Sequence, residues 1–150
     1  MIHHDVTERE GGFLSTQIHH LGRRVFTELL KKHDIEIGPG QGRILFALWQ
    51  QDNVPINELS KRTLLRKSTL SELLDNLEEA GYIRREQSEE DRRKTIIHLT
   101  EKTRKLQSTY IKLSADMTEI FYKGFTPEEI DEVEAYLHRI LKNLVSQESG

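Results

Sequence analysis

The sequence predicts a mainly α-helical chain with one short β-hairpin set into it, an α+β arrangement of six helices and a strand pair. Three observations carry that prediction. Apolar residues recur at steps of three and four along most of the chain, which is helical spacing. Two runs, Tyr82–Gln87 and Thr95–Leu99, have strand composition and flank a charged loop. Gly38, Pro39, Gly40 and Gly81 punctuate the helical pattern. A chain of 150 residues with 35% hydrophobic content is long enough to bury a core and is expected to form one domain, 1–150. Charged residues make up 31% of it and lie largely on helical patterns, the composition of a soluble protein rather than a disordered one.

In the first helix, Phe13–His33, the residues Leu14, Ile18, Leu21, Val25 and Leu29 form one stripe that Phe26 and Leu30 widen. The helix ends before Ile37, because Gly38, Pro39 and Gly40 break any regular pattern. A second helix runs from about Gln41 to Gln50, with Ile44, Leu45, Leu48 and Trp49 on its buried side. Pro55 suits the first turn of a third, where its missing N–H goes unused, and Ile56 and Leu59 anchor it. After a turn over Thr63–Arg66, Lys67–Ala80 forms a helix with Leu70, Leu73, Leu74 and Leu77 inward and Gly81 as its C-cap. Beyond the strand pair and Thr100 come two more helices. Leu106, Tyr110, Leu113, Met117 and Ile120 form a heptad-like seam in one, and Ile130, Val133, Leu137, Ile140 and Leu144 form another in the last. Thr126, Pro127, Glu128 and Glu129 make a capping box with proline at the first helical position.

The formal net charge is −3, which on its own argues against a nucleic-acid binder. Its distribution matters more. Between Pro55 and Thr100 nine basic and nine acidic residues balance, and the basic ones gather at the turn and at the hairpin tip. The acidic excess lies outside this segment. There is no cysteine, which excludes disulfides, thiolate zinc sites and thiol redox sensing. With no apolar leader and no stretch long enough to span a bilayer, the expected location is the cytoplasm, without a membrane partner.

A short helix, a turn, a second helix and a strand pair tipped by Arg92, Arg93 and Lys94 is the outline of a winged helix-turn-helix, here 38–99. Such a module reads double-stranded DNA. Its second helix presents Lys67, Ser68, Thr69, Ser71 and Glu72 opposite the leucine face, and N-terminal residues of that helix reach base edges in the major groove. Lys67 suits guanine, the hydroxyls donate or accept, and Glu72 accepts from cytosine N4. Asp75 reads as merely solvated. Arg66, together with Lys61 or Arg62, is expected at phosphates. Paired arginines at a hairpin tip reach into a narrow minor groove, and Asp91 is expected to fix the loop and aim one of them. The terminal helices, 10–33 and 100–146, carry seams that either pack within one subunit or form a dimer. The dimer is favoured, because seams at both ends flank the DNA-reading middle and two-fold proteins match two-fold sites.

Leu59-Ser60-Lys61-Arg62, Lys67-Ser68-Thr69-Leu70-Ser71, Leu77-Glu78-Glu79-Ala80-Gly81-Tyr82-Ile83 and above all Asp91-Arg92-Arg93 resemble the MarR family of bacterial and archaeal transcriptional regulators, and the likeness covers nearly the whole chain. The resemblance implies a homodimer joined through its N- and C-terminal helices that binds pseudo-palindromic operators and represses nearby genes. It places Lys67–Glu72 in the major groove and Arg93 in the minor groove, with Asp91 ordering the wing. It also implies release by a small phenolic or anionic effector held between the dimerisation helices and the DNA-reading lobe, for which helix order suggests His20, Arg23 and Trp49. Three positions depart from the family pattern. Leu64 stands where glycine is common, Arg66 where a capping Asp or Asn is common, and Glu72 where arginine is frequent.

Other classes fit less well. His3, His4, His19, His20 and His33 raise a metal-responsive regulator, since imidazole suits zinc, copper and nickel. Adjacent helical histidines point about 100° apart, however, and no metal or other cofactor is expected. No phosphate-cradling loop, nucleophile elbow or cysteine nucleophile suggests an enzyme. A winged module that binds only protein is the third alternative.

Overall fold

The computed structural model of the chain describes residues 8–149. It runs α1 (Gly11–Lys32), α2 (Pro39–Gln50), β1 (Val54–Pro55), α3 (Ile56–Thr63), α4 (Lys67–Glu79), β2 (Ile83–Gln87), β3 (Thr95–Leu99), α5 (Glu101–Phe121) and α6 (Pro127–Ser149). A mainly helical chain with a small antiparallel sheet is the expected class. The chain divides into two compact units, Met1–Ser114 and Ala115–Gly150, with the division inside α5.

In the first unit, the core gathers Ile44, Leu45 and Leu48 of α2, Leu59 of α3, Leu70, Leu74 and Leu77 of α4, Ile97 of β3 and Leu113 of α5. Those α4 residues are three of the four leucines that its periodicity turned inward, and Leu73 packs partly buried beside them. Gly81 follows α4 at φ +84°, a left-handed backbone that glycine adopts without strain.

Two local readings need correction. Gly38-Pro39-Gly40 does not simply break the pattern: Gly38 is the N-cap of α2 and Pro39 opens it, because a first-turn proline gives up only an unused donor. The Gly38 N–H donates to Gln41 Oε1 at 3.0 Å, which closes that end. The sheet has three strands rather than two, in the order β1-β3-β2, with Val54 opposite Ile97 and Pro55 opposite Ile96. Pro55 thus sits on an edge strand and caps α3 instead of lying in its first turn.

Tyr110 of α5 is the hub of an aromatic cluster, edge-on to Phe26 of α1 at 5.4 Å and 5.1 Å from Trp49 of α2. Burial pushes its phenol up to about 12, so it is neutral. The hydroxyl fits against Gly42 of α2, where an added Cβ would overlap it. Gly42→Ala is therefore expected to cost about 1–3 kcal/mol by overpacking, with much of the loss recovered when Tyr110→Phe removes the hydroxyl. Urea unfolding of the single and double variants checks this, and an unaltered midpoint in Gly42→Ala would contradict the close approach.

In the second unit, the expected capping box is present: Thr126 N–H donates to Glu129 Oε1 at 2.9 Å, and Glu129 N–H to Thr126 Oγ1 at 3.1 Å. The Tyr122 hydroxyl donates to Glu134 at 2.9 Å, fixing the turn to α6. The apolar seams are largely uncovered. Leu137, Ile140 and Leu144 of α6 are 47–63% exposed, and Phe13, Leu14, Ile18 and Leu21 of α1 are 46–66% exposed. The α5 seam is divided: Tyr110 and Leu113 are buried, while Ile120 is half exposed. Among the described residues no helix is long and apolar enough to cross a membrane.

Candidate nucleic-acid interface

The turn between α3 and α4 sets the direction of the candidate reading helix. Leu64 caps α3 in the left-handed region, φ 59° and ψ 20°, which costs a non-glycine residue roughly 1–2 kcal/mol. Hydrogen bonds on both sides hold it there. Ser60 Oγ donates to Leu65 O at 2.8 Å, Thr63 Oγ1 to Leu59 O at 2.7 Å, and Arg43 Nη1 to Thr63 O at 3.2 Å. The Leu64 side chain is 64% exposed, so little packing offsets the strain. Leu64→Gly is expected to raise stability by about 1 kcal/mol, read as a higher thermal midpoint; a lower one would show that the leucine is held by contacts instead.

Arg66 is the N-cap of α4, extended and without a side-chain hydrogen bond to the helix, as expected where Asp or Asn is missing. Lys67, Ser68, Thr69, Ser71 and Glu72 are all exposed on the first two turns, and Lys61 and Arg66 are exposed beside them. Arg62 is different and corrects its assignment to phosphate. Its Nη2 donates to Ala47 O at 3.1 Å and lies 3.5 Å from Gln50 Oε1, while Nη1 is buried. It ties α3 to the C-terminal end of α2, the negative end of the helix dipole, where a cation is favoured.

The wing loop between β2 and β3 is braced internally. Ser88 N–H donates to Lys94 O at 2.9 Å, Asp91 N–H to Ser88 Oγ at 3.2 Å, and Gln87 Nε2 to Arg92 O at 2.6 Å. Asp91 Oδ1 accepts from the Arg93 backbone N–H and from its Nε, both at 3.1 Å, and Oδ2 accepts from Nη2 at 3.4 Å. The Arg93 side chain is nevertheless 90% exposed, so the carboxylate sets its direction without covering it. Arg92 and Lys94 are exposed on the same tip.

One ion-pair cluster beside the candidate interface escaped sequence reasoning. Arg85 of β2 donates from Nε and Nη2 to Glu78 Oε1 at 3.1 and 2.8 Å, and its Nη2 lies 2.7 Å from Asp75 Oδ1. Its backbone N–H donates to Glu78 Oε2 at 3.0 Å. Asp75 is therefore an ion-pair partner rather than merely solvated. The i, i+3 spacing of Asp75 and Glu78 was the available signal, but only the packed strand identifies the cation. Arg85's hydrogen bonds hold the Glu78 carboxyl below its ordinary value, and those of Arg93 do the same for Asp91. Both links are thus in place above the ordinary carboxylate range and are lost as pH falls through the lowered values.

His20 and Arg23 line one open recess of about 630 Å³ together with Arg24, Thr27 and Glu28. Trp49 is not among the residues lining this recess, and its ring packs on Tyr110 at 5.1 Å. The His19 and His20 rings lie 5.7 Å apart, and among the described residues no group of three or more His, Asp or Glu residues is arranged to hold a metal. His3 and His4 lie outside the described residues.

The sequence profile of the MarR family matches residues 37–95, which run from the start of α2 through the wing loop to the first residue of β3. The HTH-type transcriptional regulator SarZ of Staphylococcus haemolyticus is 30% identical over 118 residues, covering 79% of this chain and 78% of that protein. The HTH-type transcriptional regulator TtmR of Methylorubrum extorquens is 33% identical over 88 residues, 59% of this chain and 44% of that longer protein. The crystal structure of a mutant MarR from E. coli complexed with operator DNA superposes with a TM-score of 0.79 at 23% identity, covering 87% of this chain and 92% of that one. The helix-turn-helix, the braced wing and these likenesses agree: the chain belongs to the MarR family of winged helix-turn-helix transcriptional regulators.

Proposed function

We propose that the chain is a homodimeric, sequence-specific repressor in the cytoplasm that leaves a pseudo-palindromic operator when a small aromatic or anionic effector binds. The observation that carries the reading is the joint exposure of Lys67, Ser68, Thr69, Ser71 and Glu72 on α4 and of Arg92, Arg93 and Lys94 on the wing. A helix can enter the major groove while the hairpin tip meets the adjacent minor groove. Lys61 and Arg66 flank the helix as phosphate contacts, whereas Arg62 is left out because it is committed to α2. The solved complex of E. coli MarR with operator DNA supports the same use of a shared fold.

Dimerisation through 10–33 and 100–146 is supported by the uncovered apolar seam of α1 and, separately, that of α6, each the kind of exposed apolar surface that marks a protein–protein contact. Each protomer then supplies one 38–99 lobe to one half-site. The recess at His20, Arg23 and Arg24 suits an anionic effector, for which two arginines are apt partners. No catalytic step is part of this function.

Selection of bound duplexes from random DNA tests it. The expected result is a two-fold symmetric consensus with half-sites about one helical turn, roughly 10 base pairs, apart, bound by a species of dimer mass. Recovery of no consensus would contradict sequence-specific reading, and binding by a species of monomer mass would contradict the dimer.

A further inference from the structure

The candidate major-groove residues lie at the start of α4 and the candidate minor-groove residues at the tip of the β2–β3 hairpin, two elements whose relative position decides whether both grooves can be met at once. Among the described residues, Arg85 makes every polar side-chain link between them. It sits mid-strand in β2, opposite Ile97 of β3, and is largely shielded, with 28% of its side chain exposed. From there it grips Glu78 with two guanidinium nitrogens and its own backbone N–H, and reaches Asp75 one turn earlier. A planar guanidinium held at a carboxylate on more than one bond fixes orientation as well as distance. Two residues farther along β2, Gln87 ties the strand to Arg92 in the loop whose Asp91 holds Arg93. The backbone of β2 therefore joins two sets of polar links, one from Arg85 to α4 and one from Gln87 to the wing loop.

We propose that Arg85 is a positioning residue that couples the two grooves, so that helix and wing engage DNA as one rigid reader rather than as two independent contacts. The proposal rests on the groove assignment made above. In a rigid reader, loss of one contact disturbs the register of the other, and the two losses are not independent. With Arg85 removed, helix and wing adjust separately.

The test is a set of mutant cycles on the full-length protein and its selected operator. Lys67→Ala, Arg93→Ala and their combination are measured first with Arg85 present and then with Arg85→Met, which keeps the aliphatic stem and removes the guanidinium. With Arg85 present, the combined loss of affinity is expected to fall short of the product of the single losses by about fivefold or more; with Arg85→Met the losses multiply to within about twofold. Equal coupling in both backgrounds, or losses that multiply in both, would overturn the proposal. A role limited to stability would lower the unfolding midpoint and leave the coupling unchanged. If Arg85→Met does not fold, Asp75→Asn with Glu78→Gln releases the same link from the helix side and is read by the same criteria. If neither Lys67→Ala nor Arg93→Ala alters affinity, the groove assignment itself fails and the coupling fails with it, an outcome distinct from failure of Arg85 alone.

Discussion

Leu74→Ala is expected to lower folding stability by about 3–4 kcal/mol, the cost of deleting a buried leucine side chain where the site cannot collapse around the space. Leu74 is fully buried at the middle of α4, in the cluster that joins α2, α3, α4, the sheet and α5. Against a total stability of roughly 5–15 kcal/mol, this is a large fraction, and it falls on the helix that carries the candidate reading residues. Ser71→Ala, an exposed change on the same helix, is the control and should stay within about 0.5 kcal/mol. Urea titrations of both variants decide the matter. Equal midpoints would mean that α4 does not present its leucine face to the core.

Arg93→Ala is expected to reduce DNA affinity by the largest factor of any single interface change. A well-placed arginine contact is worth about 1–3 kcal/mol, and a two-fold dimer loses it twice, so affinity should fall roughly thirtyfold or more. The loss should be similar across operators, because the wing responds to groove width and potential rather than to base edges. The fold should survive, since 90% of the side chain is exposed and its partner Asp91 is only partly covered. Lys67→Ala provides the contrast, with a loss that depends on operator sequence if Lys67 meets base edges. Fluorescence anisotropy on several duplexes measures both. Unchanged affinity in Arg93→Ala would remove the wing from the interface.

What could be read from the sequence followed the range of the interactions involved. The Thr126–Glu129 box, the leucine face of α4 and the glycine after it are set by neighbours a few residues apart, and the periodicity marks them directly. Pro39 was misread because proline both ends and begins helices, and only the chain's direction after it decides which. The strand Val54–Pro55 is too short to alternate, and it exists because Ile96 and Ile97 lie beside it. Arg62 was misplaced for a related reason: its residue type suits a site, but docking of α3 on α2 turns it toward the protein. Arg85 was overlooked because its two carboxylates lie on another element. Leu64 was legible as an exception, and its left-handed backbone locates the strain in the turn that aims α4.

The central claim is that this acidic chain presents a local cationic face to DNA phosphates. The most direct test is the salt dependence of its affinity for the selected operator. A dimer making about six phosphate contacts should lose roughly a thousandfold in affinity between 50 and 200 mM salt, through release of condensed counterions. Affinity that hardly changes over that range would contradict the account.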